Sequence, residues 1–109
     1  MTTAHAQLVA RELDLIRVVG KAKPMRVYEL VGRNGDMPED KLKGIGLFAD
    51  GLALYRERRW GDAVDAFKRV FEHIPDDPPA KSFITRCIEY MDSPPPPEWD
   101  GVFQQTSKE

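Results

Sequence analysis

Few side chains in this 109-residue sequence are placed to make or break covalent bonds. His5 and His73 stand far apart, and the lone Cys87 completes no metal-ligand spacing with either. Asp62, Asp65, Asp76 and Asp77 lack the ligand pattern of a calcium loop, so solvation and helix capping account for them. His73 falls near a helix C-terminus, where it complements the helix dipole better than it would bind zinc. There is no Ser or Cys nucleophile motif, no glycine-rich phosphate cradle and no DNA-binding helix signature. No residue is therefore assigned a catalytic, substrate-binding or metal-binding role. The side chains with recognition potential are aromatic: Tyr55, Trp60, Trp99 and Phe103 are candidates for binding a partner or for docking the chain's own tail.

The elements that must position these residues are of two kinds. From Arg11 to Val31 the chain reads as a β-hairpin, with residues 1–10 a polar lead-in or the end of a helix. Leu13, Leu15, Ile16, Val18 and Val19 form one strand, and Met25, Val27, Tyr28, Leu30 and Val31 the other. Gly20-Lys21-Ala22-Lys23-Pro24 supplies the turn between them. Apolar residues occupy both parities of each run, so both faces are expected to meet protein. Two strands cannot supply that cover, which marks the hairpin as the end of a larger sheet and the chain as a fragment. The pattern changes to helix after a turn-forming stretch, Gly32 to Pro38.

From Glu39 to about Arg58, Leu42, Ile45, Phe48, Leu52 and Tyr55 recur at helical steps. Gly44, Gly46 and Gly51 weaken that helix but let a neighbour approach closely. Trp60, Ala63, Val64, Phe67, Val70, Phe71 and Ile74 form a second stripe, and Trp60, Phe67 and Phe71 read as core. Asp77 is the expected N-cap and Pro78 the first residue of a third helix, whose stripe is Ala80, Phe83, Ile84, Cys87, Ile88 and Met91. Ser93 and the four prolines after it stop that helix. This divides the chain into a hairpin (1–35), a linker (36–41), a helical region (42–92) and a tail (93–109).

Residues 47–75 resemble a tetratricopeptide repeat, a pair of packed helices with small and aromatic residues at set offsets. Gly51, Ala63, Phe67 and Pro75 match its small, alanine, aromatic and closing-proline positions. Leu47, Asp50 and Val70 depart from the pattern, and Tyr55 is shifted from the usual tyrosine. In this resemblance Gly51 and Ala63 sit at the helix crossing, Phe67 fills the space between turns, and the third helix caps the open side. The fold class expected is mainly α, a repeat-like helical hairpin with a capping helix, preceded by a β-hairpin left over from an α/β domain.

The hairpin RELDLIRVVGKAKPMRVYEL is similar to the closing two strands of the catalytic domain of class III adenylate/guanylate cyclases, with its Gly-Lys turn and Tyr-Glu-Leu ending. Bacterial members of that family often carry tetratricopeptide-like helices next. Some end in a Trp-Asp-Gly-Val-aromatic segment like Trp99-Asp100-Gly101-Val102-Phe103. The family's metal-holding aspartates, purine-selecting residues and Asn/Arg pair precede this hairpin, so none maps onto a position here. A Lys-Gly-Lys turn can approach nucleotide phosphates, but Val19-Gly20-Lys21 lacks the first lysine. The resemblance implies a C-terminal interaction and regulatory region of a nucleotidyl cyclase, a phosphorus–oxygen lyase. The region is itself neither catalytic nor cofactor-bearing, while the parent's catalytic domain would use Mg or Mn.

The alternative is a free-standing repeat-type module that binds a protein or peptide. In the cyclase reading the partner is another protein or the parent's own catalytic domain, with a homodimer as one arrangement. Sixteen Lys and Arg against 18 Asp and Glu give a net charge of −2, which argues against nucleic acid as a partner. The basic cluster Arg56, Arg58, Arg59, Lys68 and Arg69 is interrupted by acids and reads as a solvated face. No apolar run approaches the roughly 20 residues of a membrane span and there is no signal peptide. A single cysteine fits a reducing, cytoplasmic setting, although the parent could be membrane-anchored.

Overall fold

The computed structural model describes residues 8–17 and 22–104. A β-hairpin is followed by three helices and a short returning strand: β1 (Leu8–Arg17), β2 (Met25–Arg33), α1 (Glu39–Arg56), α2 (Trp60–Val70), α3 (Pro78–Asp92) and β3 (Phe103–Gln104). The strand order is β2-β1-β3, with β1 antiparallel to β2 and parallel to β3. Of the turn read over Gly20 to Pro24, Gly20 and Lys21 lie outside the described residues, as do Val18, Val19 and His5. β1 starts at Leu8, earlier than its apolar run, because Leu8-Val9-Ala10 pair with residues 30–33 across the hairpin.

The expectation that both faces of both strands are covered does not hold for β2. Met25, Tyr28 and Leu30 are 57–73% exposed. The helices cover β1 instead, burying its Arg11 and Asp14. Two register shifts break the hairpin ladder, between Val9 and Ala10 and between Glu12 and Asp14. The second leaves Leu13 as an extra residue on β1, a bulge that reverses the pleat locally. Arg11 and Asp14, three positions apart, would point to opposite faces of a regular strand. Here Arg11 reaches Asp77, the residue just before the helix that begins at Pro78, and Asp14 reaches Arg86 within that helix.

The core is built from the three helical stripes. Phe48, Leu52 and Tyr55 of α1 meet Ala63, Phe67 and Val70 of α2 and Ala80, Phe83 and Cys87 of α3. Phe48, Phe67 and Phe83 contact one another at centroid distances of 5.3–5.8 Å. Each such ring contributes roughly 1.5–3 kcal/mol by leaving water. A Cβ on Gly51 would lie 2.6 Å from the Phe67 ring, and one on Gly44 2.7 Å from Ile74. Gly46 meets nothing within 4 Å, so close approach explains two of the three helical glycines and not the third.

The apolar stripe of α2 continues to Ile74, yet the helix stops at Val70. Residues 71–76 turn instead, and Asp76 takes a positive φ of 59° ahead of α3. Asp77 caps α3 by accepting from the Ala80 N–H at 3.3 Å, with prolines in the first turn. His73 does more than face a helix end: its Nδ1 lies 2.5 Å from Asp40 Oδ1, tying the α2 end to the start of α1. None of the described helices is long and apolar enough to cross a membrane.

Candidate functional site

Two constructions join the hairpin, the helices and the tail. The first is a seam of buried ion pairs. Arg11 Nη1 donates to Asp77 Oδ2 at 2.8 Å, and Arg11 Nη2 to Asp77 Oδ1 at 3.1 Å. The same guanidinium donates to Glu29 Oε1 at 2.6 and 3.0 Å and lies 4.8 Å from the Phe48 ring centroid. Arg11 and Asp77 are only 6% and 3% exposed. Burial works against the charge on Arg11, but the Asp77 and Glu29 carboxylates outweigh it and raise its pKa.

Arg86 repeats the device one helical stretch further on. Its Nη1 pairs with Asp14 Oδ2 at 3.1 Å and donates to the Tyr55 hydroxyl at 3.3 Å. Its guanidinium also lies over the rings of Phe83 and Phe103, at 4.4 and 3.9 Å from their centroids. One side chain of α3 thereby touches β1, α1 and the tail. Burial pushes the Tyr55 phenol well above its ordinary pKa, although Arg86 works the other way. Burial likewise pushes the Cys87 thiol up to about 11, so it stays protonated and unreactive near neutrality.

The second construction is an aromatic cleft that receives the tail. Trp99 lies 5.4 Å from Tyr55, 5.6 Å from Trp60 and 5.7 Å from Tyr90, centroid to centroid. Its indole N–H donates to Val102 O at 3.1 Å, and Asp100 Oδ1 accepts from the Val102 N–H at 3.1 Å. Gly101 bends the segment with a φ of 84°, a conformation that favours glycine. Arg58 donates to the carbonyls of Pro95 and Pro96 and lies 5.4 Å from the Trp99 centroid. Phe103 pairs with Ile16 of β1, and Arg17 forms an ion pair with Asp100 at 3.2 Å.

Of the four aromatic residues singled out in the sequence, Tyr55, Trp60 and Trp99 share this cleft. Phe103 is held apart from it, beneath Arg86. Tyr55 is 1% exposed, so it faces the tail and the core rather than an outside partner. The basic cluster is not simply a solvated face: Arg58 grips the tail and Arg56 pairs with Glu12 at 2.9 Å. Sequence reading passed over Arg11, Asp14, Arg86 and Tyr90. For Arg11, Asp14 and Arg86 the signal is a charge inside an apolar strand or stripe, with no indication of the partner many residues away. Among the described residues no three His, Cys, Asp or Glu side chains converge so as to hold a metal ion.

Over 88 residues, 80% of its length, the chain is 30% identical to the terminal-differentiation-specific adenylate cyclase of Dictyostelium discoideum. This supports a cyclase relation. Any 88-residue span of a 109-residue chain takes in α1 and α2, so the likeness extends beyond the hairpin. The chain spans 4% of that relative's length. No family model and no solved structure matches it.

Proposed function

We propose that this chain is a C-terminal, tetratricopeptide-like interaction and regulatory region of an adenylate or guanylate cyclase, not catalytic by itself. The observation that carries the reading is the seam. Arg11–Asp77 and Asp14–Arg86 clamp a cyclase-like terminal strand to the helices, so a force on the helices reaches the strand without slack. The closeness of Gly51 to Phe67 and the burial of Ala63 support the repeat-like packing of α1 and α2. The exposed apolar side chains of β2 suit a hairpin that continues into further sheet. The cyclase domain of such a parent, not this region, would hold Mg or Mn, and the protein would work inside the cell.

The test is cyclic-nucleotide synthesis by the full-length protein that carries this region. Arg86→Met removes the charge that links α3 to β1 while keeping much of the side-chain volume. It is expected to change the rate or its response to partners, with the catalytic domain still folded. An unchanged rate and unchanged response, with ATP and with GTP, would sink the regulatory reading. A shallow groove between α1 and α2, floored by Leu47, Leu54 and Ala66, favours a second reading as a peptide-binding module without an enzymatic parent. Absence of a catalytic domain from the natural gene would select that reading.

A further inference from the structure

The centre of the core is helical, and the tail covers its edge, where Val102 is 4% exposed and Trp99 packs against Tyr55. Phe48, Phe67, Val70, Ala80 and Cys87 are fully buried among the three helices, and none of them belongs to residues 93–104. The tail follows a proline-rich spacer that cannot continue α3. Its attachments are an indole in an aromatic cleft, the buried Val102, a phenyl ring beneath Arg86, hydrogen bonds from Arg58 to two proline carbonyls, an ion pair, and a two-residue ladder on β1. These are the features of a bound peptide, with an apolar anchor at each end and main-chain pairing to a strand edge. The segment is also conformed for itself. The Trp99–Val102 and Asp100–Val102 hydrogen bonds and the positive φ of Gly101 are internal to the segment.

We propose that the cleft between Trp60, Tyr90 and the end of β1 is a peptide-binding site, and that Glu98–Phe103 is its detachable internal ligand. The site takes a segment bent at a glycine, with an indole before the bend and, four residues after the indole, a second aromatic ring. Seating has a built-in counterweight. Gly101 rests on the stem of Arg56, whose Nε is buried with no hydrogen-bond partner among the described residues. Release of the segment returns that donor to water. Occupancy has a consequence for the hairpin, because Ile16 and Arg17 pair with Phe103 and Gln104, and Arg86 spans Phe103 and Asp14. A filled site orders the end of β1, and an empty one frees it. The inference concerns this chain alone and does not rest on the cyclase reading.

Hydrogen exchange on the full chain tests it. In Trp99→Ala/Phe103→Ala the amides of Asp14 to Arg17 are expected to lose protection by about tenfold or more, while those of Phe48 and Phe67 keep theirs. Adding a capped peptide of sequence Glu-Trp-Asp-Gly-Val-Phe is expected to restore protection saturably. The same peptide with Ala for Trp is expected to restore nothing. Unchanged protection in the double variant would show that the segment does not order β1. Loss of protection at Phe48 and Phe67 as well would make the tail part of the core rather than a ligand. Failure of the peptide to restore protection, with α1 and α2 intact, would show that the site binds nothing in trans. Each of these three results overturns the proposal.

Discussion

Asp77 shows how much one side chain can hold. It caps α3 through the Ala80 N–H and accepts two hydrogen bonds from a buried arginine of β1. Asp77→Ala removes the cap, worth about 1 kcal/mol, and leaves Arg11 buried with Glu29 alone. Breaking a buried pair from one side costs on the order of 3–5 kcal/mol. We expect a loss of about 3 kcal/mol, because Glu29 retains part of the compensation, and urea unfolding measures it. A loss under about 1 kcal/mol would mean that the ion pair adds nothing beyond the cap. Cys87 makes a second prediction at this scale. Its folded pKa of about 11 exceeds the unfolded value, so its contribution is complete at neutral pH and fades only as pH rises toward 11. In the native protein at pH 8 a thiol reagent should label Cys87 only at the rate of unfolding, which a denaturant series reads directly.

At the scale of elements, α1 carries its own controlled comparison. Gly46 and Gly51 lie in the same helix, one facing open space and the other the Phe67 ring. Gly46→Ala is expected to stabilise the protein by about 1 kcal/mol through helix propensity. Gly51→Ala gains the same propensity but drives a methyl to 2.6 Å from a buried ring. It is expected to destabilise by about 1–3 kcal/mol, as overpacking does. Thermal melts of the two variants should move in opposite directions, and parallel shifts would refute the close packing of α1 on α2. The hairpin differs in kind. β1 is gripped by the helices, whereas Leu30 of β2 is 73% exposed. Leu30→Lys should therefore leave stability within about 0.5 kcal/mol of the parent sequence.

For the whole molecule, acid is the informative perturbation. Partial burial opposes the Glu12 charge, but hydrogen bonds from Arg56 and Arg26 hold its carboxyl below the ordinary value. Asp100 is lowered as well, by the Val102 N–H and by Arg17. Groups with a folded pKa below the unfolded one contribute stability that is present above the unfolded value and lost as pH falls through the folded one. Tm is therefore expected to be level near neutrality and to fall below about pH 4, the unfolded carboxylate range. Glu12→Gln should start lower and fall less steeply, since it has no charge to lose. Superimposable Tm–pH profiles would remove Glu12 from the account. These groups lie where β1, α1 and the tail meet, so acid should loosen the joints between elements before the helical core.

Some of this architecture is local and some is not. The spacing of Phe48, Leu52 and Tyr55, the Asp77-Pro78 start of α3 and the prolines after Ser93 act over single turns of chain, so they were legible as elements. Gly51 and Ala63 could be placed at a helix crossing through the resemblance to a repeat, whereas the seating of the Phe67 ring on Gly51 belongs to the packed structure. The bulge at Leu13 could not be read that way, since it depends on register with β2 and changes the face every later residue of β1 presents. Without it, Arg11 and Asp14 look like solvent-facing charges in an apolar strand. Arg11–Asp77 and Arg86–Asp14 join residues 66 and 72 positions apart. No local rule selects such partners: desolvation makes a buried charge choose whichever opposite charge the packed helices bring within reach. The aromatic tail was recognisable by type, but its seat was decided by the tertiary structure, where α1, α2 and α3 present Tyr55, Trp60 and Tyr90 to one ring.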